Sequence, residues 1–273
     1  MCPNCRAFIT TDDKVCPYCD AKVGPRAVDL RSPPEVLAGF ISADRFTTFI
    51  LLTVNLGLYA ATMLYSKNSG NPGWLTHIDV DTLLYFGAKR PDLIFAGQWW
   101  RILTAGFLHG GLIHFLLNTW ALLDLGPLIE HIYGTRRWVV IYTIATAGGF
   151  LASALRSPVI SIGASAGIFG LIGAMIAYGV HSRSALAQEL KSHGISMVIY
   201  GLVIGILGWF PIDNAAHLGG AAAGFAAAML TGTPRLIDDW REKLWRVAAG
   251  LCLAVTALAF IEMFLAFSRA GAR

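Results

Sequence analysis

From Phe46 onward, long apolar runs alternate with short polar breaks. The runs fall near residues 46–65, 112–130, 137–155, 165–181, 195–210, 215–231 and 246–267. A helix needs about 20 apolar residues to cross the hydrocarbon layer. Seven such runs, several slightly short, therefore predict an all-α polytopic membrane protein. Charged residues make up only 14% of the chain and hydrophobic residues 55%, against roughly 25% charged residues in soluble domains. The net charge of +4 is small and scattered, so no nucleic-acid partner is expected.

The first residues, MCPNC, lack a basic stretch leading into an apolar core, so no cleavable signal peptide is expected. Residues 1–22 form a small polar module, and residues 23–44, with three prolines and no periodicity, a linker. Lys22, Arg26, Arg31 and Arg45 precede the first span. Arg136, Arg137, Arg183, Lys191, Arg235, Arg241, Lys243 and Arg246 occupy later breaks on that same side. The positive-inside rule then places the N-terminus in the cytoplasm, in a plasma or inner membrane. The long first loop, 66–104, carries Trp74, Tyr85, Phe86, Trp99 and Trp100, as segments lying in the headgroup zone do.

Strongly polar side chains inside a membrane suggest function. His114 and Asn118 lie near the outer end of the second span, Ser165 of the fourth and His217 of the sixth. Counting ~1.5 Å per residue from the opposite ends gives Asn118, His217 and Ser165 about 18, 21 and 24 Å of helix. Three spans thus bring polar groups to a similar depth. Serine becomes a nucleophile when a base takes its proton, and His217 is the candidate base. His114 and Asn118, four apart on one helical face, are donors suited to an oxyanion, with the Ser165 backbone N–H a third. Each residue also has a plainer reading. G163-A-S-A-G167 and Gly219, Gly220 and Gly224 suit close helix packing, and a membrane His or Asn often bonds a neighbouring helix. His109 is read as a cap of the second span, and Asp124 and Glu130 as partners for Arg136 or Arg137.

Taken together, W100-R101, His109, H114-x-x-x-N118, G163-A-S-A-G167 and A216-H217-L-G-G220 resemble the rhomboid family of intramembrane serine proteases, in that family's order. Glu130 followed by Gly134 is similar to the family's second-helix ending. The resemblance implies a six-helix rhomboid core over 45–232, followed by a cytoplasmic connector and a seventh transmembrane helix over 233–273. It implies Ser165 as nucleophile, His217 as general base and acid, and His114 and Asn118 as the oxyanion site. Trp100 and Arg101 would fix the first loop at the membrane interface. Phe169 stands where some members carry a Tyr packed on the catalytic histidine. No cofactor is implied for catalysis, and the substrates would be transmembrane proteins in the lipid bilayer.

Four of the five cysteines form Cys2-x-x-Cys5 and Cys16-x-x-Cys19. Two such knuckles can complete a tetrahedral four-thiolate zinc site, and so short a module would depend on the metal for its fold. Two disulfides are the alternative, disfavoured by a cytoplasmic setting. The predicted zinc ribbon is structural, and a cytoplasmic partner is its default role. Cys252, alone in an apolar run, reads as a packing residue. Two rival functions stay open: a non-catalytic rhomboid-like escort of membrane clients, and a transporter, for which no internal repeat is visible.

Overall fold

The helix α1 (Phe46–Asn68) turns Thr48, Leu51, Asn55, Tyr59, Thr62 and Ser66 inward. These positions are three and four apart, the spacing that puts side chains on one helical face. The remaining face is apolar and exposed, as a lipid-facing surface must be. The computed structural model describes residues 2, 4–5, 7, 14–23, 45–208, 211–234 and 240–271. The expected linker beyond Val23, and part of the connector after Pro234, lie outside the described residues, with Arg26, Arg31 and Arg235.

Three short helices break up the first loop: α2 (Val80–Tyr85), α3 (Pro91–Phe95) and α4 (Arg101–Thr104). Asp79 caps α2 by accepting from the Thr82 N–H at 2.8 Å, and Pro91 opens α3. A single 3-10 turn, Ala105–Phe107, leads toward the next span. The helix α5 (Leu112–Arg156) is two rods joined at Gly134, whose φ of 72° and ψ of 157° reverse the chain. That backbone conformation favours glycine, which has no Cβ to clash. Next come α6 (Ser165–His181), α7 (Ala185–Leu207), α8 (Asn214–Thr231) and α9 (Trp240–Gly271). Counting both rods of α5, seven long helical rods are present among the described residues, matching the seven apolar runs.

By length and composition, α1, α5, α7 and α9 are apolar enough to cross a membrane, and α6 is a shorter apolar helix. The molecule is an all-α polytopic membrane protein with six core rods and a seventh. The expected fifth span, 195–210, begins ten residues late. Ser184 caps α7 by accepting from the Ala187 N–H at 3.2 Å, so the polar turns through Lys191 are already helical. Hydropathy marks where a helix enters apolar surroundings, whereas the cap marks where it starts.

The central pair is α6 against α8. A Cβ on Gly220 would fall 2.1 Å from the Ala166 carbonyl oxygen, and one on Gly224 2.2 Å from that of Gly170. Only glycine permits such an approach, and in lipid, where apolar burial drives little, backbone proximity is how helices hold together. The seventh rod docks along the bundle's length. Phe260 meets Phe107 with ring centres 5.0 Å apart, and Phe267 meets Phe86 at 5.4 Å and Tyr65 at 5.6 Å. Cys252 is half-buried against the core, as expected.

At the end of the bundle near Gly134, the expected pairing of Glu130 with Arg136 or Arg137 is not what forms. Glu130 accepts from the Thr47 N–H at 3.2 Å, from the Thr47 and Thr48 hydroxyls and from Thr135 Oγ1 at 2.9 Å. Arg137 instead grips Glu242 of α9 through two bonds of 2.9 and 2.6 Å, and its Nε donates to the Thr231 carbonyl at 3.2 Å. The reason is geometric. The reversal at Gly134 turns Arg137 toward α8 and α9, a partner 105 residues away that spacing along one helix cannot reveal.

Candidate active site

Ser165 is the first residue of α6 and His217 lies in the first turn of α8. The close α6/α8 packing brings these turns together, and Ser165 Oγ and His217 Nε2 are 2.9 Å apart. Ser165 is partly exposed, whereas His217 is buried. The Phe169 ring stacks on the His217 imidazole, with centroids 3.9 Å apart and planes 14° from parallel. That contact fixes the ring's plane. No protein group bonds His217 Nδ1 among the described residues.

His114 approaches from the other side. Its Nδ1 accepts from the Gly110 N–H at 3.4 Å, which leaves the ring hydrogen on Nε2. Nε2 faces the space in front of Gly163: a Cβ there would lie 2.7 Å from it and 3.7 Å from Ser165 Oγ. Gly163 has φ +122°, so both its backbone and its lack of a side chain keep that space open. Asn118 is buried one turn further along and donates from Nδ2 to the His114 carbonyl at 2.9 Å. One hydrogen of its amide is thus engaged by its own helix. The structure brings Ser165, His217 and His114 to one point, with Asn118 adjoining.

His109 does not cap the helix as expected. Gly111 holds the cap position, and His109 is buried, its ring edge-on to His114 with centroids 5.2 Å apart. Two glycines, Gly110 and Gly111, separate it from the helix and let the chain fold inward first. Trp100 and Arg101 are likewise interior to the first loop. Arg101 donates to the carbonyls of Leu84 at 2.9 Å and Ala88 at 2.8 Å and to Gln98 at 2.7 Å. Trp100 packs on Leu103 and on Ala259 of α9. Burial lowers the Arg101 guanidinium to about 10, still fully charged at neutral pH.

The four N-terminal cysteines converge. Their Sγ atoms all lie within 4.8 Å of one another, with Cys2–Cys19 and Cys5–Cys16 both at 3.6 Å. Disulfides need about 2.05 Å, so these are thiols. A tetrahedral centre with metal–sulfur bonds of about 2.3 Å has sulfur–sulfur edges of about 3.8 Å, and the cluster can hold such an ion. The backbone N–H of Cys5 holds the Cys2 thiol down to about 6, and that of Ala21 lowers Cys19. At Cys5 the Ala7 N–H also lowers the thiol, but the neighbouring thiols outweigh it and push it up to about 12. Four thiols this close cannot all ionise alone, whereas a dication makes that arrangement favourable.

Residues 96–234 match the family described as Rhomboid domain. The chain is 39% identical over 157 residues to "Rhomboid protease GluP" of Bacillus subtilis (strain 168), covering 58% of this chain and 31% of that protein. It is 31% identical over 190 residues to "RHOMBOID-like protein 9, chloroplastic" of Arabidopsis thaliana, covering 68% and 42%. It is also 32% identical over 180 residues to "Rhomboid-like protease 3" of Toxoplasma gondii, covering 64% and 68%. The chain spans less than half the length of the first two of these relatives. A matching domain over half the chain, on an all-α membrane bundle, leads to one conclusion: the chain belongs to the rhomboid family.

Proposed function

We propose that the protein is a serine endopeptidase that hydrolyses peptide bonds in or near transmembrane segments of other membrane proteins. The observation that carries this reading is the 2.9 Å hydrogen bond between Ser165 Oγ and His217 Nε2, from residues 52 apart in sequence. Relatives named as proteases support it. His217 Nε2 takes the proton as Ser165 Oγ attacks the scissile carbonyl, and the electrons move onto the carbonyl oxygen. That oxyanion sits in the space in front of Gly163, where His114 Nε2–H and the backbone N–H of Ser165 can donate, with the free hydrogen of the Asn118 amide beside them. His217 then returns the proton to the leaving amine. Water attacks the acyl-enzyme with His217 again as base, releasing the acid and restoring Ser165. Phe169 keeps the imidazole in plane throughout, with no carboxylate among the described residues bonded to Nδ1.

The reading extends to the rest of the chain. Residues 45–232 form the catalytic core, Trp100 and Arg101 stiffen its interfacial loop, and 233–273 supply a connector and a seventh transmembrane helix. The basic breaks put the N-terminus in the cytoplasm and the site toward the outer face of a plasma or inner membrane. Cys2, Cys5, Cys16 and Cys19 hold a structural zinc ion, which supplies folding energy to residues 1–22 and no catalytic chemistry. A cytoplasmic partner is the natural role for that module.

In proteoliposomes carrying a model transmembrane substrate, Ser165→Ala should lower cleavage at least about a thousandfold, with the protein expressed and inserted as before. Wild-type cleavage by that variant would overturn the assignment.

A further inference from the structure

The two members of the dyad arrive on separate segments. The stretch 157–163 delivers Ser165, and the turn at Asp213 delivers His217. Close packing of α6 on α8 fixes the middle of both helices. Both reacting groups, however, lie in first turns, whose leading N–H groups have no partner inside the helix. Something else must hold those turns.

One residue of the first loop grips the serine segment at three points. Lys89 is fully buried. Its Nζ donates to the carbonyls of Ser157 and Val159, both at 2.8 Å. Its main chain pairs in both directions with Ser161, at 3.0 and 3.2 Å, as an isolated antiparallel bridge. On the histidine side, Asp213 caps α8. Its Oδ1 accepts from the Ala216 N–H at 3.0 Å and its carbonyl from the His217 N–H at 3.0 Å. Its Oδ2 accepts from the hydroxyl of Ser153, in the last turns of α5. The Ser153 carbonyl in turn accepts from the Ser157 N–H at 2.9 Å, and Ser157 is the residue whose own carbonyl Lys89 holds.

The grip on Ser165 and the cap on His217 therefore meet at the end of α5, in Ser153 and Ser157. The Asp213 charge also favours the Lys89 ammonium, which burial would otherwise disfavour. Burying an ammonium and a carboxylate is costly, and apolar residues of similar size often serve stability as well or better. What the pair supplies that apolar packing cannot is direction: bonds at fixed angles to named carbonyls and amides. We propose that Lys89 and Asp213 are positioning residues, which through Ser153 and Ser157 at the end of α5 hold the Ser165 segment and the first turn of α8 at the separation the Ser165–His217 hydrogen bond requires. This rests on the reading of Ser165 and His217 as the catalytic dyad.

Lys89→Met removes the charge and keeps most of the stem. Asp213→Asn keeps a good helix cap through one oxygen, removes the charge and replaces the other oxygen, which accepts from Ser153, by an amide donor. Each is compared with the full-length wild type in proteoliposomes for kcat and KM, for labelling of Ser165 by a small fluorophosphonate, and for thermal unfolding. A dyad displaced by about 1 Å loses on the order of 100-fold in rate. The expected result is a 10- to 100-fold loss in kcat for Lys89→Met and about tenfold for Asp213→Asn. KM should stay within twofold, and the labelling rate should fall by the same factors as kcat. The double variant should lose less than the product of the single losses, because either change already releases the hub.

Wild-type kcat and labelling in folded Asp213→Asn would overturn the proposal, as would losses confined to KM or to the amount of folded protein. Should Lys89→Met fail to fold, Asp213→Asn decides alone. Ser165→Ala in the same membranes separates the two claims. If it is inactive while the hub variants retain wild-type rates, only the positioning role falls. If it cleaves normally, the dyad itself falls.

Discussion

The end of the bundle that carries Ser165 and the opposite end, where α5 reverses at Gly134, both bury polar side chains, and they differ in how fully these are paired. At the Gly134 end, the Glu130 carboxylate is surrounded by donors from Thr47, Thr48 and Thr135. Arg137 spends its guanidinium on Glu242 and on the Thr231 carbonyl. Tyr133 donates to the Ala174 carbonyl at 2.9 Å. At the other end, both ring nitrogens of His109, Nδ1 of His217 and Oδ1 of Asn214 have no protein hydrogen-bond partner among the described residues. An unsatisfied buried polar atom costs about 1–3 kcal/mol. Fully paired networks bind helices together, whereas open valences belong where a reaction must admit a peptide and water. On the proposed function, the contrast separates a structural end from a chemical one.

Three changes test that division, each read out as both stability and activity. The largest effect is expected at the Gly134 end. Glu242→Gln strands the Arg137 guanidinium, whose side chain is only 3% exposed, and should destabilise the protein by about 3–5 kcal/mol. Thermal unfolding and denaturant titration measure this, while kcat per folded molecule should be unchanged. Pairing Arg137→Met with Glu242→Met should recover much of the loss, since no uncompensated charge then remains. If kcat per folded molecule falls instead, the two ends are not separate.

Gly163→Ala is the converse. Its methyl group would press on His114 Nε2 in a backbone conformation that L-residues rarely adopt. Cleavage should fall 10- to 100-fold, while stability drops by only about 1–3 kcal/mol, the cost of such local strain. Full activity would remove the oxyanion space from in front of Gly163. The smallest effect on the bundle should follow loss of the metal. Cys16→Ala should abolish zinc binding, read as about one equivalent in the wild type and none in the variant, and expose residues 1–22 to proteolysis. The bundle's unfolding should shift by less than about 0.5 kcal/mol. A larger shift would mean that the module braces the membrane core.

Much of the site was legible in advance because its residues carry local signatures. Ser165 lies in a small-residue motif, His114 and Asn118 share a helical face, and helix length gave all of them a common depth. The cysteine spacing announced a four-sulfur cluster in the same way. Lys89 carried no such signal. It looked like one of several basic residues in a polar loop, yet it is fully buried, because its partners are carbonyls almost seventy residues away. Asp213 was not singled out by the sequence either, because its tie to Ser153 joins residues 60 apart.

Apolar runs are set by the solvent each residue must meet, and a count of them suffices for an all-α membrane chain of seven rods. The pairing of Ser165 with His217, on which the proposed function rests, needed the α6/α8 contact to become a distance. Which charges find each other was decided only in three dimensions. Arg137 could have met Glu130 by spacing alone, but the Gly134 reversal turned it to Glu242. Hydrophobicity acts residue by residue and survives in the linear order. Hydrogen bonds and ion pairs act between residues, and depend on where folding has brought the partner.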